Sequence, residues 1–242
     1  MRGLMRLCLK AHNLGRDAIE RLFFGEVDTK GAAIRDILVE RGAEGLTGDQ
    51  RCDFARLLLS LDARRPCNIN KLRTDIAGSF ETDLDADSEI RAAMAERGID
   101  DIPSNYVKNQ LGWSLEDRAL TIIQRLVDNP HVGGRLINAN WAVKRLAPRD
   151  GSLVLSDRPL IRIYGYDSPG ATWVLPLTPH TAFIAANHEE NLRRLLRLTG
   201  QRFAKAINVS SAKQADKFVF SIEESHERWI RNYLSQNQHE PR

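Results

Sequence analysis

A change of hydrophobic period near Trp141 constrains this chain more than any other feature. Upstream of it, apolar residues recur every three to four positions, which places them on one face of a helix. Downstream they come in short alternating runs, the spacing of half-buried strands. Bundled helices followed by a small sheet form the α+β class, with a helical N-terminal half packed on a small, mainly antiparallel sheet and further helices at the C-terminal end.

In the helical half, Leu4, Leu7, Leu14, Ala18, Ile19 and Leu22 recur at helical spacing, with Gly25 as a stop. Ile34, Ile37 and Leu38 mark a second helix from about Thr29 to Arg41, ended by Gly42. Thr47-Gly48-Asp49 reads as an N-cap and first turn. The run that follows, with Cys52, Phe54, Ala55, Leu58, Leu59 and Leu61, is apolar almost all round and predicts a central helix broken at Pro66. The acidic stretch 81–89 reads as an exposed linker, followed by a short helix from Ser88 to Arg97 and a Pro-containing loop from Asp100 to Asn109. Ser114-Leu-Glu-Asp117 has the form of a capping box for a helix that stops before Pro130, and His131-Val-Gly-Gly reads as a turn. The expected organisation is a helical region over 1–80, an acidic connection over 81–112 and an α+β region over 113–242, together one composite domain.

Beyond Trp141, strands are expected at 140–146, 152–156, 160–164, 172–177 and 181–185, joined by turn chemistry such as Asp167-Ser-Pro-Gly170. Short connections favour an antiparallel meander. Helices at about 188–198 and 201–213, a strand at 217–221 and a terminal helix at 224–234 close the pattern.

Composition excludes several classes. With 35 Lys+Arg against 32 Asp+Glu the net charge is +3, so nucleic acid is permitted as a partner but not implied. Cys8, Cys52 and Cys67 are odd in number and lack CxxC spacing, which supports neither a disulfide framework nor a cysteine zinc site. No leader-type apolar stretch and no membrane-length run is present, and a reducing cytoplasm is the expected setting.

The sequence has no GxxxxGK[ST], GxGxxG, HExxH or GxSxG pattern, and His188-Glu189-Glu190 lacks the second histidine that zinc geometry needs. Four places remain as candidates. Ser156 and Asp157 sit where a strand runs out into Arg158-Pro159, so Asp157 is a candidate base or metal ligand; an Asp two residues before Pro is also good turn chemistry. Arg65, beside Pro66, suits a phosphate or acidic ligand, and equally the carbonyls at a helix C-terminus. His180, between two strands, is a candidate ligand or base, although a lone histidine there is more often an ordinary loop residue. The basic stretch Arg193, Arg194, Arg197, Arg202 and Lys205 is interleaved with leucines and reads as the solvated face of an amphipathic helix.

Three stretches together resemble the bacterial family called domain of unknown function 4238. Ala18-Ile-Glu20 through Leu46-Thr-Gly-Asp-Gln50 to Arg65-Pro66 is similar to its helical region. Leu155-Ser-Asp-Arg-Pro159 followed by Leu175-Pro-Leu-Thr-Pro179 resembles its paired Ser-Asp-x-Pro and Pro-Leu-Ser-Pro motifs. Ile207-Asn208 through Gln214-Ala215-Asp216 to Phe218-Val-Phe-Ser221 is similar to its closing segment. The resemblance implies a helices-then-strands fold, supplies no activity, and adds Asn208 to Arg65, Ser156 and Asp157 as positions worth testing. A departure is the family's opening His-x-x-Pro, which nothing here matches: His12 has no proline partner, so this copy is expected to begin late or to lack that part.

Two functions remain. The favoured one is a non-catalytic binding or interaction protein in which these residues hold structure. The alternative is a hydrolase-type enzyme acting on nucleic acid or a phosphorylated ligand, with Asp157 as base or metal ligand and Arg65 holding phosphate. No cofactor, metal site or specific partner is assigned.

Overall fold

A computed structural model describes residues 23–65, 68, 82–109 and 122–234. The N-terminal run of leucines, the Ser114 capping box and Pro66 lie outside the described residues. The architecture is α+β, with helices first, then a small antiparallel sheet and further helices.

Two compact units make up the chain, Met1–Glu26 with Ala63–Leu126, and Val27–Asp62 with Val127–Arg242. In the first, Phe24 is fully buried, with Phe23 edge-on to it at 5.0 Å and the Arg64 guanidinium 4.9 Å from its ring centre. Residues 82–86 of the acidic stretch are helical where a loop is expected, and two of its acids are tied to neighbouring helices. Asp85 accepts from the Ser104 N–H and hydroxyl, both at 2.8 Å, and Asp87 caps the helix Ser88–Ala95 through the Glu89 and Ile90 N–H groups. The expected loop at 100–109 is likewise a helix, Pro103–Asn109, whose proline stands at the first position, where its missing N–H costs nothing.

The second unit holds the sheet. Helix α1 (Gly25–Arg41) starts at the glycine expected to end the preceding helix. It buries Val27, Gly31, Ile34 and Leu38 along one stripe and stops at Gly42, whose φ of 87° suits a residue without Cβ. Helix α2 (Gly48–Ala63) opens with a reciprocal capping box: Thr47 Oγ1 accepts from Gln50 N–H at 3.2 Å, and Gln50 Oε1 accepts from Thr47 N–H at 2.9 Å. Gly31 faces this helix so closely that a Cβ there would lie 2.6 Å from the Leu57 side chain. The expected turn at His131 is helix α3 (Pro130–Asn138). Its two glycines are outweighed by Pro130 in the first turn and by Asn129, whose side chain accepts from the His131 and Val132 N–H groups.

Strands β1 (Asn140–Arg145), β3 (Ile161–Ile163), β4 (Thr172–Thr178) and β5 (Thr181–Ala186) form an antiparallel sheet in the order β1-β5-β4-β3. The register sets Trp141, Ala185, Trp173 and Arg162 in one row and Ala142, Ile184, Val174 and Ile161 in the next, so alternate rows face opposite layers. On the Trp141 side, Phe54 of α2 meets Phe183 at 5.0 Å and Trp141 at 5.9 Å, both edge-on. Arg51 lies over Trp141 and donates to the Ile137 and Ala139 carbonyls, and burial pushes its pKa down. Arg145 of β1 donates to the Val39 and Glu40 carbonyls in the last turn of α1. Asp62, at the far end of α2, accepts from Tyr166 Oη at 3.0 Å and pairs with Arg162 at 3.3 Å.

The opposite face packs on helices α4 (Glu189–Arg197) and α5 (Gly200–Gln214), with Val174, Ile184 and Ala186 against Leu192, Phe203 and Ile207. Lys144 Nζ donates to the Leu196 and Leu198 carbonyls where α4 ends. The expected sequential meander is confined to β3-β4-β5. β1 joins the far side of β5, and β2 (Leu155–Ser156) leaves the sheet to pair antiparallel with β6 (Val219–Phe220). A short 3₁₀ turn, Glu224–His226, leads into helix α6 (Glu227–Tyr233). Among the described residues, no helix is long and apolar enough to cross a membrane.

Candidate interaction surface

Helix α5 stitches down the segment from Ser152 to Leu160. Buried Asn208 accepts from Val154 N–H at 2.9 Å and donates to the Ser152 carbonyl at 2.8 Å. One turn and a half further on, Gln214 donates to the Arg158 and Leu160 carbonyls. A side-chain amide supplies both a donor and an acceptor, so Asn208 satisfies the Val154 N–H and the Ser152 carbonyl, which no strand among the described residues pairs.

The Asp157 carboxylate turns back over the chain that enters β6. Oδ1 accepts from Asp216 N–H at 2.9 Å, and Oδ2 accepts from Lys217 N–H at 2.7 Å and Phe218 N–H at 3.1 Å. The Asp157 N–H itself donates to the Phe218 carbonyl at 3.0 Å, Ser156 Oγ donates to the Arg158 carbonyl, and Arg158 pairs with Asp216 at 3.5 Å. Three of the carboxylate's roughly four acceptor sites are thus taken by backbone donors.

The exit from β6 is tied in the same way. Glu223 Oε1 accepts from Ser152 N–H at 2.9 Å, Ser221 Oγ accepts from Glu223 N–H at 3.0 Å, and Ser221 Oγ lies 2.8 Å from His226 Nδ1. His226 Nε2 stands 3.4 Å from Glu223 Oε2. Ser152, whose N–H donates to it, holds the Glu223 carboxyl below its ordinary pKa; burial opposes that effect and His226 adds to it.

Between these two ties the strand shows an apolar face. Phe218, Phe220 and Ile222 are 58%, 60% and 66% exposed, and Leu155, the pairing partner of Phe220, is 39% exposed. The Phe218 and Phe220 rings stack at 6.4 Å. Ser156 and Val219, on the other face of the ribbon, are buried and half-buried. A groove of about 230 Å³ runs alongside, lined by Leu153, Leu155, Pro176, Leu177, Phe220 and Ile222.

Ser156, Asp157 and Asn208 come together around β2 and α5, each hydrogen-bonded to backbone. His180 occupies the β4–β5 turn: its N–H donates to Thr178 Oγ1, its carbonyl accepts from Leu146 N–H, and its buried Nδ1 has no partner among the described residues. Arg65 is half-buried and belongs to the other unit. A second, polar groove of about 510 Å³ is lined by His131, Arg135, Asp167, Asn187 and His188; His131 and Arg135 share one Asp167 oxygen, at 3.4 and 3.2 Å, and all three side chains are exposed. Among the described residues, no group of three or more His, Cys, Asp or Glu is placed to hold a metal. The apolar face of β6 was not singled out as a site from the sequence. Its signal was the alternation at 218, 220 and 222, obscured by Val219, which makes the run read as buried on both sides.

The family model described as Protein of unknown function (DUF4238) matches residues 12–225, most of the chain, and the chain belongs to that family. Neither a curated protein nor a solved structure matches it.

Proposed function

We propose that this DUF4238 protein is a non-catalytic binding protein that offers the apolar face of β6 to a partner. The supporting observation is a strand held at both ends by carboxylates, Asp157 on one side and Glu223 on the other, with three large apolar side chains left outward between them. Isolated exposed apolar residues are ordinary on a protein surface; a contiguous, rigidly presented set is a mark of interaction sites. In this reading Ser156, Asp157 and Asn208 shape the surface and do no chemistry.

The test separates holding from catalysis. Asp157→Asn exchanges one acceptor oxygen for a donor facing backbone N–H groups, which destabilises by about 1–3 kcal/mol and lowers Tm by about 2–4 °C for each kcal/mol. The reading expects that loss of Tm together with no hydrolysis of bis(p-nitrophenyl) phosphate by the natural sequence, with or without divalent cations. Hydrolysis that Asp157→Asn abolishes at unchanged Tm would overturn the reading in favour of a hydrolase.

A further inference from the structure

We infer that the partner is an extended peptide segment with apolar side chains at alternate positions, added as a third strand along the open edge of β6. This rests on the binding reading above and names its ligand class.

The first support is the hydrogen-bond phase of the ribbon. Asp157 N–H donates to the Phe218 carbonyl, and β2 pairs Leu155 with Phe220 and Ser156 with Val219. In an antiparallel ladder the backbone groups of successive residues alternate between the two edges. Phe218 and Phe220 are thus turned to β2, Val219 turns its N–H and C=O groups to the opposite edge, and the same alternation continued one residue past β6 brings those of Ser221 to that edge. Among the described residues, β6 has no strand neighbour other than β2. An unpaired edge with alternating side-chain positions beside it is the geometry used for strand addition.

The second support is side-chain position. Phe218, Phe220, Ile222 and Leu155 all lie on one face, so an added strand with apolar residues at every second position extends that face through cross-strand pairs. The groove of about 230 Å³ lies on the β2 side of Phe220 and Ile222, so the added strand takes its side-chain contacts from this face and not from the groove.

The third is area. An aromatic side chain buries roughly 150–250 Å² when fully covered, so two phenylalanines about 60% exposed offer roughly 90–150 Å² each. With Ile222 and Leu155 the face reaches a few hundred Å², well short of the ~800 Å² per partner that a stable interface between folded proteins buries. A single strand of about five or six residues matches this face; a second globular copy does not.

The experiment uses the full chain, labelled with ¹⁵N, and three synthetic octapeptides: two of identical composition, one alternating Val or Phe with Thr or Lys and one with those residues in scrambled order, and a third that is the alternating peptide with its amides N-methylated on the edge-facing side. The alternating peptide is expected to shift the Val219 and Ser221 amides and to bind at least tenfold more tightly than the scrambled one. N-methylation is expected to abolish binding, as is Phe220→Ser together with Ile222→Ser at unchanged Tm. If all three peptides bind equally and the double substitution removes binding, strand addition is overturned while the apolar face remains a binding surface. If none binds and the chain sediments as a dimer that the double substitution dissociates, the occupant is a second copy and the peptide inference falls. If none binds, the chain is a monomer and the double substitution changes neither Tm nor any amide beyond its own neighbours, both the inference and the binding reading fall.

Discussion

β5 is covered on both faces and β6 on one. All six residues of β5 are buried, with Phe183 wedged edge-on between Phe54 and Trp141 on one side and Ile184 packed towards α4 and α5 on the other. Phe220 of β6 and Phe218 just before it are aromatics of the same size, and they are exposed. Strand propensity and hydrophobicity do not separate the two; the layers that reach them do. β5 gets its second layer from α2, more than 100 residues away in sequence, whereas among the described residues only β2 pairs with β6. A strand-forming run therefore says that a segment is suited to being covered, not that the same chain covers it.

The largest expected effect lies in setting Phe183→Ala against Phe220→Ala. The first removes a fully buried ring and costs about 3–5 kcal/mol; the second stays within about 0.5 kcal/mol. Urea unfolding monitored by circular dichroism gives both values, and equal costs would mean that β6 is covered after all. A smaller effect is expected from Asn208→Ala, which strands the Val154 N–H and the Ser152 carbonyl in a buried place and costs about 1–3 kcal/mol. Asn208→Ser, still able to serve one of the two groups, should recover part of that loss in the same melts. Full stability on Asn208→Ala would dissolve the contrast between a stitched segment and a paired one.

The finest distinction concerns pH. The folded pKa of Glu223 is lowered, so its contribution is fully present above the unfolded value of about 4.3 and is lost as pH falls through the lower folded value. Hydrogen exchange at the Ser152 amide should therefore show protection that declines on acidification below about pH 4, with the Phe183 amide unaffected over the same interval. Protection at Ser152 that is flat with pH would remove Glu223 as the tie at the exit of β6.

How legible this was in the sequence varies with distance along the chain. The strands of the main sheet were expected from their alternation, because β3, β4 and β5 are neighbours joined by short turns. The cap at Thr47 and the stop at Gly42 were expected because each depends on residues within four positions. Errors came where two local signals competed: Gly133-Gly134 suggested a turn, but Asn129 and Pro130 start a helix that runs through both, and Pro103 suggested a loop where it opens a helix. The β2–β6 pairing joins positions more than 60 residues apart, which no local pattern specifies. Asp157 could be named as turn chemistry from Arg158-Pro159, but its acceptance of N–H groups from 216–218 depends on that same long-range pairing.

Gly31 carries a consequence for how rigidly the layers are geared. With Leu57 occupying the space a methyl group would need, the spacing of α1 from α2 is fixed by a single hydrogen atom. Gly31→Ala would wedge the two helices apart, and because Arg145 clasps the last carbonyls of α1 while Phe54 of α2 is lodged beside Phe183, the displacement would arrive at both neighbouring strands of the sheet at once.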